Sequence, residues 1–100
     1  GDVDYSVLFS DVTVEEGPAV RYSIVMPGAV VKKGAVVQYS IVAENAVIEE
    51  GAVVGENPEK VDNLDEWGVS VIGSGITIGK DAKVKAKVTV SEDVKGGESV

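Results

Sequence analysis

The sequence predicts an all-β protein, a single-stranded parallel β-helix wound from three-sided coils of about 17 residues. Three observations carry that expectation: a composition dominated by β-branched side chains, a phrase that returns every 17 residues, and Gly, Asn or Asp at evenly spaced corner positions. The chain of 100 residues holds 22 Val and six Ile against two Leu, one Phe and one Trp, which favours a pleated, half-buried backbone and excludes a helical bundle. With 44% apolar and 26% charged residues the composition is that of one ordinary globular domain.

The repeat is explicit. Tyr5-Ser6-Val7-Leu8, Tyr22-Ser23-Ile24-Val25 and Tyr39-Ser40-Ile41-Val42 are one phrase written three times, and Glu15-Glu16-Gly17, Lys32-Lys33-Gly34 and Glu49-Glu50-Gly51 repeat at the same offset. Within each unit the large aliphatics return in steps of six, six and five: Leu8, Val14, Val20; Val25, Val31, Val37; Val42, Ile48, Val54. A small or branched residue stands two positions before each of them, as in Ser23, Ala29 and Ala35. Steps of six with alternation just ahead of the aliphatic suit short strands joined by tight turns, whereas a helix would gather residues three or four apart. Three strands per unit make a triangular coil. Asp11, Gly17, Gly28, Gly34, Asn45 and Gly51 fall three residues after inward aliphatics, where a corner needs positive φ and these residue types tolerate it. Parallel stacking of the coils then sets equivalent side chains one above another, with Tyr5, Tyr22 and Tyr39 in one column.

These coils are expected over residues 4–54. The rhythm stops after Val54, and 55–69 reads as a polar, acidic excursion from one corner. It resumes over 70–94 with Ile72, Ile78, Val84 and Val90 inward and Gly75 and Asp81 at corners, and 95–100, with its Gly96-Gly97 pair, is expected to fray.

Charge and missing residue types exclude much. Nine Lys and Arg against 17 Asp and Glu leave a formal charge of −8, which argues against nucleic acid and anionic membrane surfaces as partners. No Cys and no His are present, so there is no disulfide, thiol nucleophile or imidazole base, and the usual zinc ligands are missing. No catalytic residue and no metal or cofactor site is expected in the chain itself. Asp62, Asp65 and Glu66 lack the spacing of a calcium loop, and Gly73-Ser74-Gly75 lacks that of a phosphate loop, so its glycines read as corners. No apolar run approaches the roughly 18 residues of a spanning helix and no secretory leader opens the chain, which makes a cytoplasmic location the expectation.

Two features remain that suit recognition. The outward residues before the inward aliphatics ought to be polar on a solenoid alone in water, yet Ile24, Val30, Val36, Ile41, Val47 and Val53 are apolar, and laddering makes them contiguous, so these six are expected at an interface. Arg21 and the Lys32-Lys33 pair, in consecutive repeats, are candidates for a phosphorylated effector. Lys80, Lys83, Lys85 and Lys87 form a second basic cluster on the last coil, suited to anion binding or to protecting a strand edge.

From Asp4 to Val54 the phrases S-V-L-F-S-D-V, S-I-V-M-P-G-A-V-V and S-I-V-A-E-N-A-V-I, followed by Gly55-Glu56-Asn57-Pro58-Glu59-Lys60 and Val71-Ile72-Gly73, resemble the C-terminal β-helix of bacterial glucose-1-phosphate adenylyltransferase, the ADP-glucose pyrophosphorylase family. The resemblance implies a left-handed helix that packs on its own N-terminal catalytic domain, helps build a homo- or hetero-oligomer, a tetramer in the family, and lies beside the site of sugar-phosphate activators and nucleotide inhibitors. In that family ATP, Mg²⁺ and glucose 1-phosphate are handled by the catalytic domain, which makes ADP-glucose and pyrophosphate for glycogen synthesis; none of its signatures is present in these 100 residues. Some members carry basic residues just before the third S-I-V phrase, where this chain has Gln38 and Tyr39, so catalytic and regulatory subunits both stay open. The β-helix of another sugar-phosphate nucleotidyltransferase, or a fragment of a hexapeptide-repeat acyltransferase with its active site between chains, is the alternative.

Overall fold

A computed structural model describes residues 2–4, 7–8, 12–15, 19–58 and 68–100. Among these, fourteen strands of two or three residues, numbered in chain order, stack into three parallel sheets. Sheet A contains β1 (Asp2–Asp4), β4 (Ala19–Arg21), β7 (Val36–Gln38), β10 (Val53–Val54) and β13 (Lys83–Val84), in that spatial order. Sheet B runs β2 (Val7–Leu8), β5 (Ile24–Val25), β8 (Ser40–Val42), β11 (Ser70–Ile72) and β14 (Thr89–Val90). Sheet C runs β3 (Thr13–Val14), β6 (Val30–Val31), β9 (Val47–Ile48) and β12 (Thr77–Ile78). The chain visits A, B and C in rotation, and each strand pairs with the strand one coil away, as in Val20↔Val37, Val25↔Val42 and Val31↔Ile48. This is the three-sided parallel coil that the 17-residue repeat predicts.

The interior is what the six-residue rhythm selects. Val20, Val37 and Val54 on sheet A, Val25, Val42 and Ile72 on sheet B, and Val31, Ile48 and Ile78 on sheet C are fully buried. Ala29, Ala35, Ala46, Ala52 and Ala82 fill the space near the corners, where a larger side chain has no room. The side chain of Val14 and the ring of Tyr5 lie outside the described residues.

The corners follow the chemistry of positive φ. Gly28, Asn45 and Gly75 turn the chain from sheet B to sheet C, and Gly34, Gly51 and Asp81 from C to A, all with φ between 59° and 78°. Corners donate to those of the preceding coil: Asn45 N–H to the Pro27 carbonyl (3.1 Å), Gly51 to Lys33 (3.2 Å) and Asp81 to Glu50 (3.0 Å). Asp11 and Gly17 lie outside the described residues.

The A-to-B corner departs from the expectation, because Tyr22 and Tyr39 themselves adopt φ of 48° and Lys87 a φ of 65°. A left-handed conformation costs an L-residue about 1–2 kcal/mol. The two tyrosine rings stack with centroids 4.8 Å apart and planes 16° apart, a contact worth about 0.5–1.5 kcal/mol, which offsets part of that cost. Backbone bonds add to it: Tyr39 N–H donates to the Arg21 carbonyl (3.0 Å), and the buried Ser23 and Ser40 hydroxyls donate to the carbonyls of Arg21 (2.8 Å) and Gln38 (2.7 Å).

The excursion leaves from the same corner at Gly55, and residues 59–67, with Asp62, Asp65 and Glu66, lie outside the described residues. Across it the pairing offset becomes 30, as in Val54↔Val84 and Ile48↔Ile78, so the coils resume in register. Gly55 is buried at φ 84°, and a Cβ there would overlap the Gln38 carbonyl and crowd the Ser40 hydroxyl. Its N–H reaches the Val84 carbonyl (2.9 Å) and its carbonyl accepts from Gln38 Nε2 (3.1 Å).

The expected fraying of 95–100 is not what the structure contains. Val94 bridges Ile78, Ser99 bridges Lys83, Gly97 N–H donates to the Lys80 carbonyl (2.9 Å), Val100 N–H to the Lys83 carbonyl (2.8 Å) and Lys83 N–H to the Glu98 carbonyl (2.8 Å). The inward step from Val90 to Val94 is four residues instead of six, which breaks the side-chain rhythm while the backbone ladder, indifferent to side chains, continues.

Gly55→Ala and Gly75→Ala separate conformational strain from overlap. Both demand positive φ, but nothing lies within 4 Å of a Cβ at Gly75. Urea unfolding is expected to give a loss of about 1–2 kcal/mol for Gly75→Ala and at least about 1 kcal/mol more for Gly55→Ala.

Candidate functional site

The in-register coils turn sequence offsets of 17 into columns, and these columns place the cations. Lys32 lies one coil from Glu49 and one from Glu15, as the bonds from Glu15 N–H to Val31 and from Lys32 N–H to Ile48 record (2.9 Å each). Its ammonium pairs with Glu49 Oε1 at 3.0 Å. The Glu15 carboxylate accepts from the Lys33 backbone N–H (3.0 Å). The hydrogen bond to Glu49, then the charge of Glu49, with smaller help from Glu15 and Glu50, raise the Lys32 ammonium above the ordinary value of 10.5, against a desolvation that lowers it. The next column carries Lys33, Glu50 and Lys80, positive, negative, positive along the axis. The C-to-A corner is therefore a ladder of alternating charge.

Arg21 does not join this ladder. It ends β4 and pairs in register with Gln38, at the end of the sheet A strands where the chain turns to sheet B, whereas Lys32 and Lys33 stand before those strands begin. The three cations occupy opposite ends of sheet A. Lys83, Lys85 and Lys87 are exposed along the last coil at its passage from sheet A to sheet B, and Lys80 stands at the preceding corner.

The six apolar residues expected at an interface all face outward, two on each sheet: Val36 and Val53 on A, Ile24 and Ile41 on B, Val30 and Val47 on C. Five are half-buried by their ladder neighbours; Ile24 is exposed. The exposed large apolar residues among those described are Tyr22, Ile24, Val69 and Val100. Strand alternation does not distinguish the three faces, and Tyr22 and Val69 are not among the six positions it selects. The 17-residue Tyr-Ser phrase was the available signal for Tyr22, while Val69 borders the excursion, where no period marks it.

At the C-terminal end of the prism a concavity of about 310 Å³ is lined by Val88, Val90, Val94 and Val100 with Glu92 and Glu98 around it. Among the described residues no group of three or more Asp and Glu side chains is arranged to hold a metal ion, and no helix is long and apolar enough to cross a membrane. Every buried side-chain nitrogen and oxygen among them has a hydrogen-bond partner. The geometry is that of a prism filled inside, with outward Val and Ile on each sheet and the Lys32–Glu49 ion pair at one edge.

Stacked parallel coils with an aliphatic lining and glycine, asparagine or aspartate corners define a hexapeptide-repeat β-helix. Residues 1–78 match the family described as GlmU-like, C-terminal hexapeptide, and the chain belongs to that family. Among solved structures, a mutant GDP-perosamine N-acetyltransferase from Caulobacter crescentus, in complex with CoA and GDP-perosamine, is similar at 21% identity and a TM-score of 0.36. The alignment covers 98% of this chain and 52% of that one, so this chain spans about half its length. No curated protein matches the chain.

The charge ladder has a titration signature. Lys32 is expected to hold its proton above pH 10.5, and Glu49→Gln to return it toward the ordinary lysine value, as read by NMR of the Lys32 side chain. Because the folded value is raised, the pair's contribution is fully present below 10.5 and is lost as pH rises through the folded value.

Proposed function

We propose that this chain is a non-catalytic assembly and regulatory domain of a cytoplasmic sugar-phosphate nucleotidyltransferase, and specifically the C-terminal β-helix of a glucose-1-phosphate adenylyltransferase. The observation that carries the reading is the apolar exterior. The coil interior is already filled by its own Val, Ile and Ala columns, yet Ile24, Ile41 and Val71 continue as a ladder on the outer face of sheet B. Such a surface suits burial against another folded body more than contact with a small substrate. The phrases S-V-L-F and S-I-V-M-P-G with G-E-N-P-E-K after the third coil support the narrower assignment. On this reading adenylyl transfer, with ATP and Mg²⁺, belongs to the catalytic domain of the parent chain, and this region contributes oligomer contacts and the response to effectors. The effector role falls to Arg21 at one end of sheet A and to Lys32 and Lys33 at the other, as separate contacts to anionic groups.

A second reading, a fragment of a hexapeptide-repeat acyltransferase, fits the GlmU-like family equally well. A chain without His supplies no imidazole to such a reaction, so a neighbouring chain or another general base would have to act.

Supplying the chain in trans to an adenylyltransferase catalytic domain that lacks its β-helix tests the proposal. The expected outcome is recovery of the higher oligomer on size-exclusion chromatography and of effector response, with no adenylyltransferase activity from the chain alone. Calorimetric titration of the chain with acyl-coenzyme A is expected to give no isotherm; saturable binding would move the assignment to acyl transfer.

A further inference from the structure

The last coil is closed on two of its three sides. Beyond β12, the edge strand of sheet C, Val94 bridges Ile78, and Asp93 Oδ1 accepts from the Thr77 backbone N–H (2.9 Å). Beyond β13, the edge strand of sheet A, Ser99 bridges Lys83, whose N–H and carbonyl bond to Glu98 and Val100 (2.8 Å each). The third side differs. β14 is the edge strand of sheet B, and among the described residues nothing bridges its outer side.

The ladder fixes which groups of β14 face outward. On sheet B, Ala43 N–H donates to the Ile72 carbonyl (2.9 Å), Gly73 N–H to the Val90 carbonyl (3.0 Å) and Val71 N–H to the Val88 carbonyl (3.0 Å), each reaching one coil onward. Val71 pairs with Thr89 and Ile72 with Val90, so the N–H groups that repeat this step on β14 are those of Thr89 and Ser91. In a parallel ladder the carbonyl of Thr89 points to the same side as its N–H. Both residues are exposed. They border the concavity of about 310 Å³ at this end of the prism, which is lined by the buried Val90 and Val94 and by Val100, 38% exposed. An open edge with outward donors and an acceptor, beside an apolar hollow, is a template for one further strand.

We infer that this edge is a strand-addition site, on which an extended segment of a partner protein pairs parallel to β14 and seats one aliphatic side chain against Val90, Val94 and Val100. Two observations select that occupant. The opening is one strand wide: the tail already stands beyond sheets A and C, which leaves no flat three-sided end for a second prism to continue in register. The charged residues of the lining, Glu92, Asp93 and Glu98, are all acidic. A parallel strand starts at the A-to-B corner, where Lys85 and Lys87 flank Ala86 and the Ala86 N–H donates to Glu56 Oε1 (3.3 Å), and finishes at the B-to-C corner beside Glu92 and Asp93. Its aliphatic residue is therefore followed by Lys or Arg, the charge that complements this corner. The inference goes beyond the scaffold reading and holds for whichever enzyme the module serves.

Fluorescence anisotropy of the 100-residue chain with a labelled peptide, Tyr-Ser-Ile-Val-Lys-Lys, tests this; the peptide joins the sheet B phrase to a basic end. Saturable binding is expected. The same peptide ending in Glu-Glu, or N-methylated at its Val, whose N–H meets the Thr89 carbonyl, is expected to bind about tenfold more weakly or worse. Thr89→Pro removes an outward N–H, spares the Val88 and Val90 bonds to β11, and is expected to cost about tenfold, with circular dichroism to establish that the variant is folded. Glu92→Lys leaves the backbone untouched and is expected to cost about fivefold, whereas Glu44→Lys, at the same corner two coils away, leaves binding within about twofold. No saturable binding up to about 1 mM peptide, equal binding of the N-methylated peptide, or equal loss from Glu44→Lys overturns the inference. So does a concentration-dependent dimer in sedimentation velocity that Thr89→Pro abolishes, because the occupant is then a second copy. None of these measurements involves a catalytic domain, so they fail or succeed separately from the assembly test.

Discussion

The backbone hydrogen bond from each coil to the next is the constraint on which the rest depends. Bonds of 2.8–3.2 Å tie Val36 to Ala52, Lys32 to Ile48 and Gly51 to Lys33, and they hold each residue beside its equivalent on the neighbouring coil. Local sequence therefore acts through columns. One valine has valine above and below it in the core, one glycine stacks over another at a corner, and a lysine placed between glutamates finds a carboxylate on the next coil without reaching for it. The small alanines near the corners and the serines whose hydroxyls satisfy corner carbonyls complete an interior with no orphaned polar side chain among the described residues.

Much of this was legible because the fold makes repeated chemical demands. An inward aliphatic is required at each strand, so Val31, Ile48 and Ile78 announce sheet C; positive φ is required at the corners, so Gly28, Asn45, Gly51 and Asp81 announce themselves. Tyr22, Tyr39 and Lys87 were not readable as left-handed residues, because nothing intrinsic to tyrosine or lysine favours that conformation; stacking along the column and the serine hydroxyl bonds compensate for it only once the coils exist. The tail was misjudged because its four-residue step hides a ladder that side chains do not encode. The candidate cations were read as a group by their closeness in the repeat, but a three-sided coil separates Arg21 from Lys32 by the length of a strand. The flanking glutamates at the same 17-residue offset were already visible as partners for Lys32.

The resulting molecule divides its tasks by surface. Its interior is committed to stacking, one edge neutralises its own charge by alternation, and the exposed Tyr22, Ile24 and Val69 lie where the tyrosine corner meets sheet B.

The excursion after Val54 separates chain length from architecture. Val54 and Val84 stand 30 positions apart, yet these two sit beside each other as Val37 and Val54 do at an offset of 17, and neither sheet B nor sheet C records the difference. Gly55 acts there as a gatepost: its N–H and carbonyl close the rung to Val84 and Gln38, and the stack resumes in register beyond it. The vertex thus accepts inserted chain without a change of register, and new surface chemistry can be grafted there without renegotiating the core.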